Sequence, residues 1–257
     1  DRFYLVCAAF FEQRLLDHLK THRGDATARV TALSDSWGAL SLNGPRARDV
    51  LGACTDARLD NASFRWLSAQ QITVAGHLIW AFRMSYAGEL GWELHMPFDA
   101  MVDVYTALSQ AGEPFGIADY GSFAMNVMRM EKGFKGAGEL TNEVTLAEAD
   151  VLRFARKEKD YVGRDKTLNT DVPWICAYLE IEPDNEIDGH GGEAVLLDGQ
   201  VVGSTAAVAY GPTVGKILAF AYVKPHAAVP GTALEVVVHG APRAARVLDG
   251  PAYDPHS

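Results

Sequence analysis

The sequence predicts an α+β domain over residues 1–170, followed by a small all-β barrel domain over residues 171–257. The first part alternates strand and helix patterns in a strand–strand–helix rhythm, which is typical of helices packed on an antiparallel sheet. The second part has short strand patterns separated by Gly and Pro, with no helix-length pattern between them. A length of 257 residues, 48% of them hydrophobic, is enough for two cores.

Hydrophobic periodicity defines the elements expected in the first domain. Residues 12–22 carry leucines at helical spacing. Phe123, Val127 and Met130 define the apolar face of a later helix. Arg129 is therefore predicted to lie away from that face. The expected strands are 3–9, 28–33, 37–42, 72–74, 78–85 and 92–96, and the other expected helices begin near residues 45 and 97.

The barrel domain is predicted from short apolar runs and from its turn residues. Asp198-Gly199 stands between two such runs and is the best hairpin signal in the chain, because this dipeptide suits a two-residue turn. A closed barrel or a jelly-roll-like arrangement accommodates this pattern. The expected strands are 173–182, 194–197, 201–204, 217–223, 234–239 and 243–248.

Composition excludes several classes of function. The formal net charge of −10 argues against nucleic-acid binding, which needs clustered Lys and Arg. Cys7, Cys54 and Cys176 are far apart and the histidines form no ligand spacing, so we expect no metal site. No apolar run reaches the roughly 20 residues that span a bilayer. Free thiols without a disulfide pattern indicate a reducing cytosol or mitochondrial matrix.

The stretch 85–94 is the strongest candidate for a ligand site. Glu89 stands on a turn between Gly88 and Gly91, with Tyr86 and Trp92 close in sequence. A carboxylate accepts paired N–H donors and aromatic faces stack on flat rings, so the combination suits a nitrogen-rich ring. The alternative is a β-hairpin with an acidic turn, in which Tyr86 and Trp92 belong to the core.

Four motifs occur in a fixed order and carry a family resemblance. They are Tyr-x-Gly-Glu-x-Gly-x-Glu at 86–93, Arg-x-Glu-x-Gly at 129–133, Leu140-Thr141, and Gly163-Arg164 after an aromatic residue. Together they resemble the glycine-cleavage T-protein family of folate-binding aminomethyltransferases. The resemblance is greatest to the C-terminal halves of dimethylglycine and sarcosine dehydrogenases, and it runs from residue 1 to about residue 255.

The resemblance implies a folate-binding α+β domain of the aminomethyltransferase type that binds tetrahydrofolate. Glu89 corresponds to a family carboxylate that binds the pterin ring, and Arg129 to an arginine of the folate site. For Arg129 the alternative is an ion pair with Glu131 or Glu93. Glu93 lies on the opposite side of its strand from Trp92 and is a weaker ligand candidate. The residues predicted to bind the cofactor are Tyr86, Glu89, Gly91, Trp92 and Arg129.

The resemblance also implies a reaction and further domains. An N-methyl amine would be oxidised on an upstream flavin domain, and its one-carbon unit would pass to tetrahydrofolate. The family's catalytic aspartate and the FAD-binding glycine motif have no match in this sequence, so both are expected in upstream sequence and no catalytic residue is assigned. A stand-alone aminomethyltransferase or folate-dependent demethylase is one alternative, and a non-catalytic folate-binding module is another.

Overall fold

The computed structural model describes residues 2–24, 27–155, 158–183 and 189–254. The chain divides into two compact units. Unit 1 comprises Asp1–Met84 and Leu90–Ile117, and unit 2 comprises Ser85–Glu89 and Ala118–Ser257. Residues 118–170 are thus grouped with the strands that follow them, and the domain boundary near residue 170 stays a prediction.

Unit 1 is built on a four-stranded antiparallel sheet. Its elements are α1 (Glu12–His22), β1 (Trp37–Asn43), α2 (Ala47–Gly52), β2 (Ala69–Val74), β3 (His77–Phe82), β4 (Gly91–Pro97) and α3 (Phe98–Gly112). The strand order is β1-β4-β3-β2, so β4 lies inside the sheet between β1 and β3. Residues of α2 and α3 join one face of the sheet in a single hydrophobic core.

Strand β4 separates this core from the opposite face of the sheet. Trp92, Leu94 and Met96 are fully buried in the core that includes α2 and α3. Burial of each of these side chains contributes roughly 1.5–3 kcal/mol. Because successive side chains of a strand alternate between faces, Glu93 and His95 lie on the other face. This alternation is what positions the polar residues described below.

Two strands predicted in the first domain are wrong. Residues 2–8 and 27–33 have irregular structure, and Phe3, Leu5 and Val6 are exposed. An apolar run becomes a strand only when a neighbouring strand takes up its backbone hydrogen bonds. None of the ten strands in the described residues pairs with either segment. Tyr4 instead stacks on Phe82 of β3, with ring centroids 5.8 Å apart.

Unit 2 contains a closed barrel of six antiparallel strands. Its elements are α4 (Ser122–Glu131), α5 (Arg164–Thr167), β5 (Ile175–Ile181), β6 (Ala194–Leu197), β7 (Gln200–Gly211), β8 (Lys216–Val223), β9 (Ala233–Val238) and β10 (Ala241–Val247). The order around the barrel is β10-β5-β8-β7-β6-β9. Closure leaves no unpaired strand edge. An α+β part followed by an all-β barrel confirms the predicted fold class.

The β6–β7 hairpin forms as its turn residues predict. Asp198 and Gly199 both have positive φ, at 50° and 74°, which is the requirement of a type I′ turn. Strand β7 continues well beyond the predicted end at residue 204 and pairs with β8 as far as Gly211. A register shift between Thr205 and Ala207 interrupts this pairing, so the long strand is bent rather than straight.

The predicted apolar face of α4 is partly wrong. Phe123 is 89% exposed, whereas Arg129 is only 4% exposed and Met130 is fully buried. Periodicity alone assigns a charged residue to the solvent side. Arg129 is buried because the protein supplies hydrogen-bond acceptors for its guanidinium group, which are described in the next section.

No helix within the described residues is both long enough and apolar enough to cross a membrane.

Candidate ligand-binding site

The turn that carries Glu89 is held by a close backbone approach at Gly88. Gly88 has φ +77°, and a Cβ atom there would lie 2.5 Å from Cβ of Lys132. Only glycine therefore fits at this position. Glu89 itself is exposed, and within the described part of the chain it makes no hydrogen bond or ion pair.

Tyr86 contacts the loop that follows α4. Its hydroxyl donates to the carbonyl oxygen of Lys135 at 3.1 Å, and its ring stacks on Phe134 with centroids 6.4 Å apart. A Cβ atom at Gly136 would lie 2.3 Å from the Tyr86 hydroxyl oxygen, so a side chain there would displace this hydroxyl. Burial raises the pKa of Tyr86, and the phenol remains a hydrogen-bond donor at neutral pH.

Arg129 uses all of its N–H donors within unit 2. Its Nε and Nη2 donate to Oδ1 of Asn126 at 3.0 and 2.8 Å, and Nη1 donates to the Phe134 carbonyl at 2.9 Å. Nη1 and Nη2 also donate to Glu139, at 2.8 and 3.3 Å. Glu139 is fully buried and additionally accepts the Gly136 N–H at 2.5 Å. The arginine therefore fixes the 133–140 loop.

The other residues of the Arg-x-Glu-x-Gly motif have structural roles of the same kind. Glu131 is buried and accepts from the backbone N–H and the hydroxyl of Thr213, both at 2.8 Å. These bonds join the end of α4 to the loop between β7 and β8. Gly133 has φ +72°, which lets the chain turn directly after the helix. The motif thus connects α4 to both the following loop and the barrel.

The lysines near this motif are engaged in ion pairs. Lys132 pairs with Asp254, and Lys135 pairs with Asp150 at 3.2 Å. Their charges are therefore partly neutralised inside unit 2.

Gly91 and Trp92 lie in unit 1, where both serve the packing of β4. A Cβ atom at Gly91 would lie 2.1 Å from Oδ1 of Asn43 and 2.8 Å from the carbonyl oxygen of Leu42, so β1 approaches β4 closely here. Trp92 is fully buried and packs edge-on against Phe64. This position matches the alternative in which Trp92 is a core residue of its strand.

A polar cluster that the sequence analysis did not assemble lies on the other face of β4. Glu93 is half-buried, and its Oε2 lies 3.2 Å from Nε2 of the buried His95. The Nδ1 atom of His95 lies 3.0 Å from the Tyr4 hydroxyl. Phe82 packs beside this histidine, with ring centroids 4.7 Å apart. The strict alternation of residues 92–96 is the sequence signal that groups Glu93 with His95.

A cavity of about 530 Å³ in unit 1 is lined by the turn after α2 and by the β2–β3 hairpin. It contains none of the residues predicted to bind a ligand. Within the described residues, no group of three or more His, Cys, Asp or Glu side chains is arranged to hold a metal ion. The polar cluster of Glu93, His95 and Tyr4 is therefore a better candidate for a ligand site than the cavity.

Two family models match successive parts of the chain. The GCVT N-terminal domain matches residues 1–159, and the glycine cleavage T-protein C-terminal barrel domain matches residues 176–254. The chain belongs to the glycine cleavage T-protein family. Domains of this family bind tetrahydrofolate. The sequence-based recognition of the family is confirmed.

The chain covers very different shares of the length of its curated relatives. Human mitochondrial dimethylglycine dehydrogenase is 31% identical over 89% of the chain, and mouse mitochondrial sarcosine dehydrogenase is 33% identical over 93%. In both cases the chain spans 27% of the relative's length. An aminomethyltransferase of Streptomyces avermitilis is 31% identical, with 98% of the chain and 70% of the relative covered.

One solved structure shows the same fold. The glycine cleavage system aminomethyltransferase T from Bartonella henselae superposes with a TM-score of 0.81, covering 95% of this chain and 67% of that chain. Sequence identity is 21%, so the likeness concerns the fold alone. Family membership and fold therefore agree, while the substrate of this chain is a matter for proposal.

Proposed function

We propose that this chain is the tetrahydrofolate-binding, one-carbon-transfer portion of a flavoenzyme similar to dimethylglycine or sarcosine dehydrogenase. The identity of 31–33% to those two relatives supports this proposal, as does the 27% share of their length that the chain spans. An FAD-containing domain of the same polypeptide or complex would oxidise an N-methyl amine. The one-carbon unit would then reach this part of the enzyme.

The proposed reaction transfers the carbon of an N-methyl-derived iminium to give 5,10-methylenetetrahydrofolate and a demethylated amine. Tetrahydrofolate, when bound, supplies the two nitrogens that accept the carbon. The protein's contribution is to hold the reduced pterin and to exclude water, because an iminium hydrolyses readily. Tyr86 and Arg129 order the 133–140 loop within unit 2.

The observation that carries this proposal is the half-buried Glu93 carboxylate beside aromatic side chains. A reduced pterin has N–H donors on a flat ring, which suits a carboxylate next to aromatic faces. Glu93 uses Oε2 toward His95, and its Oε1 has no partner among the residues that the structure describes. Glu89, the carboxylate favoured by the sequence, is exposed, and it makes no hydrogen bond or ion pair with the residues that the structure describes. We infer that Glu93 is the better pterin ligand.

Calorimetric titration of the intact protein with 5-formyltetrahydrofolate, a stable reduced folate, tests this proposal. We compare Glu93→Gln with Glu89→Gln, since each substitution keeps the size of the side chain and replaces one acceptor by a donor. Loss of a charge-assisted bond predicts at least tenfold weaker binding for Glu93→Gln. Glu89→Gln should bind nearly as tightly as the unchanged protein. The reverse result would restore the assignment to Glu89, and no binding by the unchanged protein would remove the proposed function.

A stand-alone aminomethyltransferase is the second candidate. The 70% coverage of the Streptomyces avermitilis aminomethyltransferase favours it. A flavin domain encoded directly upstream of this sequence would decide against it. Folate binding without turnover of several N-methyl amines by the intact protein would instead indicate a non-catalytic folate-binding module.

A further inference from the structure

The Glu93, His95 and Tyr4 side chains are linked by hydrogen bonds, and of these three residues only Glu93 belongs to a family motif. His95 lies two residues after Glu93 on the same face of β4, and it is only 5% exposed. Its two ring nitrogens face different partners, Glu93 at 3.2 Å and the Tyr4 hydroxyl at 3.0 Å. We propose that His95 is a positioning residue, assisted by Tyr4, which holds the Glu93 carboxylate ready for a ligand. This inference rests on the proposed function.

The chemistry of the three groups determines which atom donates in each hydrogen bond. An ionised carboxylate only accepts hydrogen bonds, so Nε2 of His95 carries the proton that is shared with Glu93. In a neutral imidazole the other nitrogen, Nδ1, is then an acceptor. The Tyr4 hydroxyl therefore donates to Nδ1. Burial and the nearby Glu93 charge raise the pKa of Tyr4, so the phenol keeps the proton that this arrangement requires.

Aromatic packing fixes the imidazole ring in place. Phe82 lies with its ring centroid 4.7 Å from that of His95, and Tyr4 meets the His95 ring edge-on at 5.6 Å. In the antiparallel register Glu93 lies directly opposite Phe82, and His95 lies opposite Trp80. Two aromatic rings thus contact the histidine ring, and its two nitrogens face the polar atoms of Glu93 and Tyr4.

A held carboxylate binds more tightly than a mobile one. A glutamate side chain loses rotamer freedom when it binds a ligand, unless its conformation is already fixed. The His95 hydrogen bond occupies Oε2 and restrains Glu93, while Oε1 has no partner within the described part of the chain. A purely structural role is the alternative, in which His95 only fills space on the sheet. The two roles predict different effects on ligand affinity.

Matched substitutions at His95 separate these roles. His95→Phe keeps an aromatic ring of similar size but removes both hydrogen bonds. His95→Gln places an amide N–H near the position of Nε2 and can still donate to Glu93. We expect 5-formyltetrahydrofolate to bind the intact His95→Phe protein about tenfold more weakly. His95→Gln should retain most of the affinity, and Tyr4→Phe should weaken binding by about threefold.

A double-mutant cycle gives the decisive readout. If His95 acts through Glu93, then adding His95→Phe to Glu93→Gln should weaken binding little beyond Glu93→Gln alone. Differential scanning calorimetry on each variant reports any general loss of stability. Unchanged affinity in His95→Phe, or losses that add fully in the cycle, would overturn the positioning role.

Failure of the proposed function would look different. The unchanged protein would then bind no reduced folate, whereas failure of the positioning role alone leaves binding intact and sensitive to Glu93→Gln. If His95→Phe does not fold, Tyr4→Phe takes its place. The affinity of the Tyr4→Phe protein is then compared with that of the double variant that carries Tyr4→Phe and Glu93→Gln. Tyr4 is exposed to a large extent, at 44%, so that substitution is expected to be tolerated. Full affinity of the Tyr4→Phe protein for 5-formyltetrahydrofolate would then contradict the proposed role of the Tyr4–His95–Glu93 hydrogen bonds.

Discussion

Arg129 and Glu139 form a buried ion pair whose removal should be costly. Glu139 is fully buried and Arg129 nearly so, and the two groups meet at 2.8 Å. Replacing one partner leaves the other charge buried without compensation, which typically costs 3–5 kcal/mol. We expect Glu139→Gln to lower the free energy of unfolding by about 3 kcal/mol, because its amide still makes some of the hydrogen bonds. Urea denaturation followed by circular dichroism measures this loss.

A nearby exposed glutamate provides the control for this measurement. Glu143 lies in the same loop region and is exposed, so Glu143→Gln should change stability by less than about 0.5 kcal/mol. Replacing the pair together, as Arg129→Met with Glu139→Leu, should recover much of the loss, since no buried charge then remains. Equal effects of Glu139→Gln and Glu143→Gln would show that the ion pair does not hold the loop.

Strand β4 depends on a glycine for its pairing with β1. Gly91 pairs with Asn43 in the antiparallel register, and a Cβ atom there would collide with the Asn43 side chain and the Leu42 carbonyl. Because the Leu42 carbonyl belongs to the backbone of β1, the collision can be relieved only by moving the strands apart. We expect Gly91→Ala to destabilise the protein by about 1–3 kcal/mol, measured by urea denaturation.

Gly250 is the matched control for this substitution. A Cβ atom at Gly250 would meet no heavy atom of the described chain within 4 Å, and its φ is not in the left-handed region. Gly250→Ala should therefore be nearly neutral. If Gly91→Ala is equally neutral but weakens folate binding, then Gly91 serves the ligand, as the sequence alone suggested, and not the strand pairing.

Local signals were sufficient for most of the molecule's architecture. The Asp198-Gly199 turn and the short apolar runs around it predict the barrel strands, because turn chemistry and burial are properties of neighbouring residues. The segment 3–9 shows the limit of such reasoning. Its apolar residues suit a strand, but a strand needs a partner, and a partner depends on the whole fold.

The contacts of the candidate site were harder to predict from the sequence, because they too depend on the whole fold. The partner of Arg129 is Glu139, which is ten residues away and becomes its neighbour only when the 133–140 loop folds back. Likewise, Tyr4 and His95 are 91 residues apart and meet only through the packing of Tyr4 on β3. The alternation of apolar and polar residues in β4 is visible in the sequence, however, and it correctly predicts that Glu93 and Trp92 face opposite sides of the sheet.

At the scale of the whole molecule, two cysteines report separately on the two units. Cys54 lies in unit 1, where it is half-buried and its thiol donates to the Ala107 carbonyl. Cys176 lies in unit 2 and is buried, and this burial raises its pKa to about 12. The exposed Cys7 has no such protection. Thiolate reactivity should therefore fall in the order Cys7, Cys54, Cys176.

Thiol labelling at pH 8 across a urea series would test this order and the independence of the two units. Cys176 is buried with Met130 of α4 and with Leu218 and Phe220 of β8, so its labelling requires this packing to open. At pH 8 its reactive thiolate is also about a thousandfold scarcer than that of an exposed thiol. Mass spectrometry of the digested protein assigns the label to each cysteine, and a Cys176→Ala variant confirms the slow site. If the units open separately, Cys54 and Cys176 become reactive at different urea concentrations. Fast labelling of Cys176 without urea would contradict the packing of α4 against β5 and β8, because a buried thiol of high pKa cannot react until its surroundings open.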